Sequence, residues 1–307
     1  MPNHSLNDTH VGSFKVYLDS SKASVKLGHT NSNCLFYLDN VIECPVDTCL
    51  MLSLTSCQIP VSFYNVTNNN NSITLESSRY IVTNPTTDEG YTVRTETVVT
   101  LPPKNYDTET LVQAINERLV ATGNPTTCSF DDQSLKFTFS SLTRKITIKS
   151  TTMQKELGIV TVPTVSAYSY TCPRCCNLSG PQSVYVMLNN LSIDSLDSRA
   201  EGDLNGVLAK VNIDCSFGDY IEYQSISEQI VMVADRTISH FNVSLTDDSI
   251  ELLDMNGIDW SIEITVHYSK KRKPTVDIDY IMDDQTGVHL LKDLDETPDE
   301  SDNVSKK

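Results

Sequence analysis

Residues Trp260-Ser261-Ile262-Glu263-Ile264-Thr265-Val266-His267-Tyr268 alternate apolar or amphipathic side chains with polar ones at every step. A β-strand turns successive side chains to opposite faces, so this period of two lays Trp260, Ile262, Ile264 and Val266 on one buried face. Asn256-Gly257, just ahead, is a strong turn signal. A strand with one apolar face must bury it against a second layer. A chain carrying this segment folds as a packed β-structure.

Shorter stretches repeat the theme on both sides of the middle of the chain. Strands are predicted over Phe14–Leu18, Leu35–Leu38 and the long apolar run Leu50–Tyr64. Ile59-Pro60 interrupts that run, and a proline, lacking an N–H, marks an edge or a bend rather than a central ladder. Asn68–Asn71 reads as a polar tip before a short strand, Ser72–Glu76. Further strands are predicted over Val184–Leu188, Val207–Ile213, Tyr220–Tyr223, Ile230–Val233 and Ile238–Leu245. Many short strands separated by turns imply a sandwich or jelly roll.

The texture between these two groups differs. Tyr91–Leu101 reads as a strand, after which Asp107 can cap a helix by accepting from free N–H groups of its first turn. Leu111, Ile115 and Leu119, with Val112 beside them, form one apolar stripe, and Gly123 supplies the stop. Three short strands follow, Thr127–Phe130, Leu135–Phe139 and Lys145–Ile148, then a brief helix, Thr152–Leu157, ending at Gly158. This β-α-β-β-β unit is the size of a small domain. The expected fold is mainly β: a single jelly-roll sandwich with an inserted small α+β domain. The expected division is 1–83 for the first part of the jelly roll, 84–176 for the insertion, 177–274 for the second part and 275–307 for an acidic, disordered tail.

The 307 residues include 40 acidic and 23 basic side chains, a formal charge of −17. Ten Asp or Glu and three Lys fall within residues 275–307, which leaves −10 on the body. A negative field repels phosphate, so direct nucleic-acid binding is not expected, and the short basic run Lys270–Lys273 is flanked by opposing charge. The tail's charge density favours disorder. Its stretch Val276–Ile281 nevertheless alternates well enough to add a strand to another sheet. Residues 1–11 are polar and lack the apolar stretch of a secretory leader, and no segment approaches the length of a membrane span. The sequons Asn65-Val66-Thr67 and Asn242-Val243-Ser244 therefore carry little weight, and the nine cysteines are expected as reduced thiols.

Catalytic and cofactor motifs are absent: no G-x-S-x-G elbow, phosphate loop, G-x-G-x-x-G or H-E-x-x-H occurs. The six histidines are scattered, and His267 falls on the polar side of its strand, where a surface position is expected. No catalytic, cofactor-binding or metal residue is assigned, and no enzyme is expected. The sharpest local feature is Cys172-Pro173-Arg174-Cys175-Cys176. C-x-x-C spacing lets two thiolates grip one Zn²⁺, but a structural site needs four ligands. Cys44 and Cys49 could complete it only if the end of the insertion packs beside them. Ordinary reduced thiols are the favoured reading for Cys172, Cys175 and Cys176. Asp247-Asp248 and Asp283-Asp284 lack regular Ca²⁺-loop spacing.

Several short landmarks occur in order: Val16-Tyr17-Leu18-Asp19-Ser20; Ile59 to Val66; Leu111 to Leu119 with Ala114-Ile115-Asn116; Leu157-Gly158; Val184-Tyr185-Val186 with Asn189-Asn190-Leu191; and Asn256 to Ile262. In order and spacing they resemble the penton (vertex, minor capsid) proteins of mavirus-like virophages and Polinton-type elements. The resemblance spans residues 14 to about 268 and leaves out 160–182 and the tail after 275. It implies a jelly roll with an additional domain, assembling as a homopentamer at the five-fold vertices of an icosahedral capsid. Implied partners are further copies of itself and the double-jelly-roll major capsid protein. The virion is the implied location, with assembly in the host cytoplasm, and a host surface receptor is a further partner the inserted domain could meet. The competing expectation is a lectin-like or receptor-binding jelly-roll module. Such a site usually needs an exposed aromatic platform, whereas the only tryptophan, Trp260, is expected to be buried.

Overall fold

The computed structural model describes residues 10–84, 86–161, 166–193, 206–226, 229–270, 280–283 and 287–290. In chain order the elements begin with β1 (His10–Asp19), β2 (Val25–Lys26), β3 (Asn33–Glu43) and β4 (Thr48–Pro60). There follow β5 (Ser72–Asn84), β6 (Glu89–Thr100), α1 (Thr108–Ala121), β7 (Thr127–Asp131), β8 (Lys136–Ser140), β9 (Lys145–Thr151), α2 (Gln154–Leu157) and β10 (Ser169–Thr171). The chain continues through β11 (Ser183–Leu188), β12 (Val207–Asn212), β13 (Tyr220–Gln224), β14 (Val231–Val233), β15 (Thr237–Thr246) and β16 (Ser261–Lys270). Two short strands, β17 (Tyr280–Asp283) and β18 (Gly287–Leu290), come last.

One sheet runs β1-β16-β4-β13, with β14 also paired to β4; the other runs β12-β11-β15-β3-β2. The four-strand orders β1-β16-β4-β13 and β3-β15-β11-β12 are those of the two sheets of an eight-stranded jelly roll. The inner faces enclose one core, which includes Leu18, Phe36, Leu52, Val186, Phe241, Ile264 and Val266. Trp260 lies within it at 2% exposure, edge-on to Phe36 with ring centroids 6.0 Å apart. Its indole Nε1 donates to the Asn31 carbonyl at 2.7 Å, which satisfies the one polar atom the burial would strand.

The turn before Trp260 is pinned by Asp259. Its Oδ1 accepts from Lys26 Nζ (2.8 Å), Ser20 Oγ (2.9 Å) and Asn31 Nδ2 (3.1 Å). Those donors, Lys26 first, favour the ionised form and hold the carboxyl down to about 2 from its ordinary 3.8. A depressed carboxyl contributes stability that is present above 3.8 and fades as the pH falls towards 2. Asp259→Asn is therefore expected to cost about 1 kcal/mol at neutral pH. It should also flatten the loss of stability between pH 4 and pH 2 in thermal melts. An unchanged acid limb would show that the cluster does not couple to folding.

Pro60 interrupts no ladder, because it is the last residue of β4, although β4 itself is an interior strand. A terminal position leaves no inter-strand donor to miss. His267 departs from its expected surface position: it is 4% exposed, its Nε2 lying 2.9 Å from Ser53 Oγ. β16 sits between β1 and β4, so even its polar face is walled in, and Thr265 and Ser269 are buried beside the ring.

The middle of the chain has a core of its own, drawn from Val66 to Cys172. Sheet β6-β5-β9 and sheet β10-β8-β7 enclose the apolar stripe of α1, whose Leu111, Ile115 and Leu119 are fully buried against residues such as Leu75, Phe137 and Phe139. Asp107 caps α1 in a capping box with Thr110, and Gly123 follows the helix in the left-handed region, φ 69°. β5 pairs along β6 and β9, and its Ile73 and Leu75 belong to this second core. Residues 72–83, assigned from sequence to the jelly roll, thus pack with the middle of the chain. Of the acidic tail, β17 and β18 pair antiparallel; Thr275–Asp279, most of the stretch expected to add a strand, lies outside the described residues.

Candidate functional site

The cysteine cluster is the first place to look for chemistry. Cys172 is fully buried in the second core, and loss of hydration pushes its thiol up to about 12. Burial likewise raises Cys128, which feels Cys172, and Cys176. Raised thiols are poor thiolate donors. Cys44 and Cys49 do not approach them: Cys44 Sγ donates to the Thr48 carbonyl at 3.3 Å and Cys49 Sγ to the Ser269 carbonyl at 3.4 Å, both in the jelly roll. No group of three or more His, Cys, Asp or Glu among the described residues has the geometry to hold a metal ion.

What holds the Cys172–Cys176 segment is backbone packing. Arg174 N donates to the Gly158 carbonyl at 3.1 Å, and Cys176 N to the Leu135 carbonyl at 2.8 Å. Gly158 ends α2 with φ 73°, and a Cβ there would collide with the Arg174 carbonyl. The left-handed turn and the close approach both demand glycine.

The junction of the two cores is built round Asn65. Its Nδ2 donates to the carbonyls of Tyr106 and Leu178, each at 2.7 Å, while its Oδ1 accepts from Tyr106 N at 2.9 Å. One buried amide thus ties the segment leaving the jelly roll, the loop before α1 and the segment returning to it together. Asn70 extends the network, donating to the Asn65 carbonyl at 2.9 Å and to Glu156 Oε1 at 2.6 Å. Burial raises the Glu156 carboxyl above its ordinary value. A cavity of about 350 Å³ opens beside the clamp, lined in part by Phe63, Asn105, Tyr106, Cys215 and Phe217. In the sequence Asn65 stands out only as a sequon; nothing local distinguishes a clamping asparagine from a surface one, because its partners lie 41 and 113 residues away.

A larger groove, about 550 Å³, crosses one end of the β1-β16-β4-β13 sheet. Tyr17, Asp19, Gln58, Glu222 and Glu263 line it. Lys15 Nζ holds Glu263 at 2.6 Å. The groove's lining mixes apolar Leu18, Tyr223 and Ile262 with acidic Asp19, Glu222 and Glu263. Among the described residues no helix is long and apolar enough to cross a membrane.

No family model matches the sequence, and no curated protein matches it. Among solved structures the chain is similar to the selenomethionine-labelled mavirus penton protein, with a TM-score of 0.47 and 15% identity over 84% of this chain and 98% of that one.

Proposed function

We propose that the chain is a structural virion protein without catalytic activity, a penton or minor capsid subunit that forms homopentamers at the five-fold vertices of an icosahedral DNA-virus capsid. The observation that carries this reading is the strand order: β1-β16-β4-β13 against β12-β11-β15-β3, with a second core introduced in the connection from β4 to β11. A shell subunit needs rigid sheet faces, loops at the sandwich ends for its neighbours and no reactive centre. Five copies round an axis make a heterologous interface that closes, so one flank of the sandwich must complement the other. The landmarks from Val16 to Ile262 and their order give the reading independent support from sequence.

On this reading the partners are copies of itself and a double-jelly-roll major capsid protein, the location is the virion after assembly in the host cytoplasm, and the body from about 66 to 178 could present contacts to a host receptor. The purified protein, alone or mixed with a major capsid protein, should form five-fold rings in negative-stain images and sediment as a pentamer. A strictly monomeric particle at every concentration, with no incorporation into capsids, would defeat the proposal.

A further inference from the structure

β6 is an edge strand. Its inner side pairs with β5 from Glu89 to Thr100, and none of the backbone hydrogen bonds among the described residues reaches its outer side. Long exposed edges are normally blunted by proline, lysine or a bulge. Glu-Gly-Tyr-Thr-Val-Arg-Thr-Glu-Thr-Val-Val-Thr, residues 89–100, has no proline and no lysine. The support beneath it also ends early: β9 pairs with β5 only from Ile73 to Ser78, while β5 and β6 run on together to Asn84 and Glu89. The outer half of this hairpin is an arm two strands wide, which is marginal on its own in water. It nevertheless exposes Tyr80, Ile81, Val82, Tyr91 and Val93, and Val98 lies 57% exposed nearer its base.

The charges on β6 say what would cover the edge. Glu96 stands directly opposite Glu76 in the β5–β6 register, and like charges in that relation repel. Glu76 is compensated by Lys149 at 3.1 Å and Arg94 at 3.7 Å; Glu96 has no cation among the described residues. If a second β6 runs antiparallel beside the first, with the two-fold axis at Thr95, then Arg94 of each copy faces Glu96 of the other. Thr92 then meets the exposed Val98. Shifting the axis to Arg94 or to Glu96 sets like charges face to face instead. The edge is therefore self-complementary in one register.

We infer that β6 is a self-pairing surface, through which two copies of this chain join their inserted sheets antiparallel about Thr95. This contact is two-fold and lies outside the jelly roll. It neither requires nor replaces a five-fold association, and it goes beyond the shell-building role proposed above.

Charge exchange tests it on the full-length protein. Sedimentation velocity over a concentration series should show a two-fold self-association. Arg94→Glu and Glu96→Arg should each weaken it by about tenfold or more, since either change sets two like-charged pairs across the axis. The double variant should return it to the wild-type range. Thr95→Cys should form an inter-subunit disulfide under mild oxidation, visible against the wild-type background on a non-reducing gel. Two-fold association that ignores both single changes, a double variant that stays weak, or no such association at all would overturn the inference. Five-fold rings that persist in the charge variants would show that this contact and the vertex assembly are separate, whereas loss of rings with two-fold association intact would strike only the vertex reading.

Discussion

Trp260→Ala is expected to destabilise the jelly roll by about 3–5 kcal/mol, the usual cost of emptying a large buried aromatic site. A domain's total stability is about 5–15 kcal/mol, so this single change should lower the denaturation midpoint of the jelly roll steeply or unfold it near body temperature. The reason lies in where the ring sits. It is buried at 2% exposure, packs on Phe36 of the opposite sheet and donates to Asn31, while its backbone N accepts no slack because it donates to Ser20 Oγ at 2.9 Å. The deletion therefore leaves a cavity between the sheets and an Asn31 carbonyl with only the long Cys34 Sγ contact at 3.9 Å. Trp260→Phe should be milder, about 1–2 kcal/mol, since it keeps an aromatic contact and loses the Nε1 bond and one ring's volume. Because Trp260 is the only tryptophan, unfolding is followed by circular dichroism in urea, not by fluorescence. If the alanine variant melts at the wild-type midpoint, the two sheets do not share the core described.

The parts of this fold that sequence reveals are those where one face is wet and the other dry. The alternation at 260–268 predicted four buried residues, and Trp260, Ile262, Ile264 and Val266 are all at or below 3% exposure. Leu111, Ile115 and Leu119 declared α1 in the same way, with Asp107 and Gly123 marking its ends. β5 was legible only in part. From Ile73 to Ser77 its burial alternates, but from Arg79 to Val82 both faces are exposed, so the amphipathic signal vanishes although the ladder with β6 continues. The polar wall of β4 and β16 was hidden for the opposite reason. Ser53, Thr265 and His267 look like solvent-facing residues and are buried by their place in the interior of a sheet, which strand order decides and local pattern does not. The junction clamp was hidden because Asn65 acquires its role from chain segments far away in sequence.

The placing of β5 yields the sharpest contrast in behaviour. Excising 66–178 and joining Asn65 to Ser179 through a short flexible linker should leave a jelly roll that unfolds cooperatively. The two apolar cores share no residue, and Asn65 Nδ2 reaches the Leu178 carbonyl at 2.7 Å, so the cut ends are already neighbours. What the excision removes from the jelly roll is the Asn65 clamp and a polar contact from Asn69 Nδ2 to Glu251 Oε2 at 3.2 Å, a loss of about 1–3 kcal/mol. Excising 84–176, the division expected from sequence, should behave quite differently. It keeps nearly all of β5 and takes away β6, β9 and α1, which exposes Ile73 and Leu75 on a strand with both edges unpaired. Such a strand is a template for aggregation, and this second protein should be insoluble or lack a cooperative transition. Equal behaviour of the two would mean that β5 draws its stability from the jelly roll. Failure of the first alone would mean that the two cores fold as one unit, held by the Asn65 network more tightly than its three hydrogen bonds suggest.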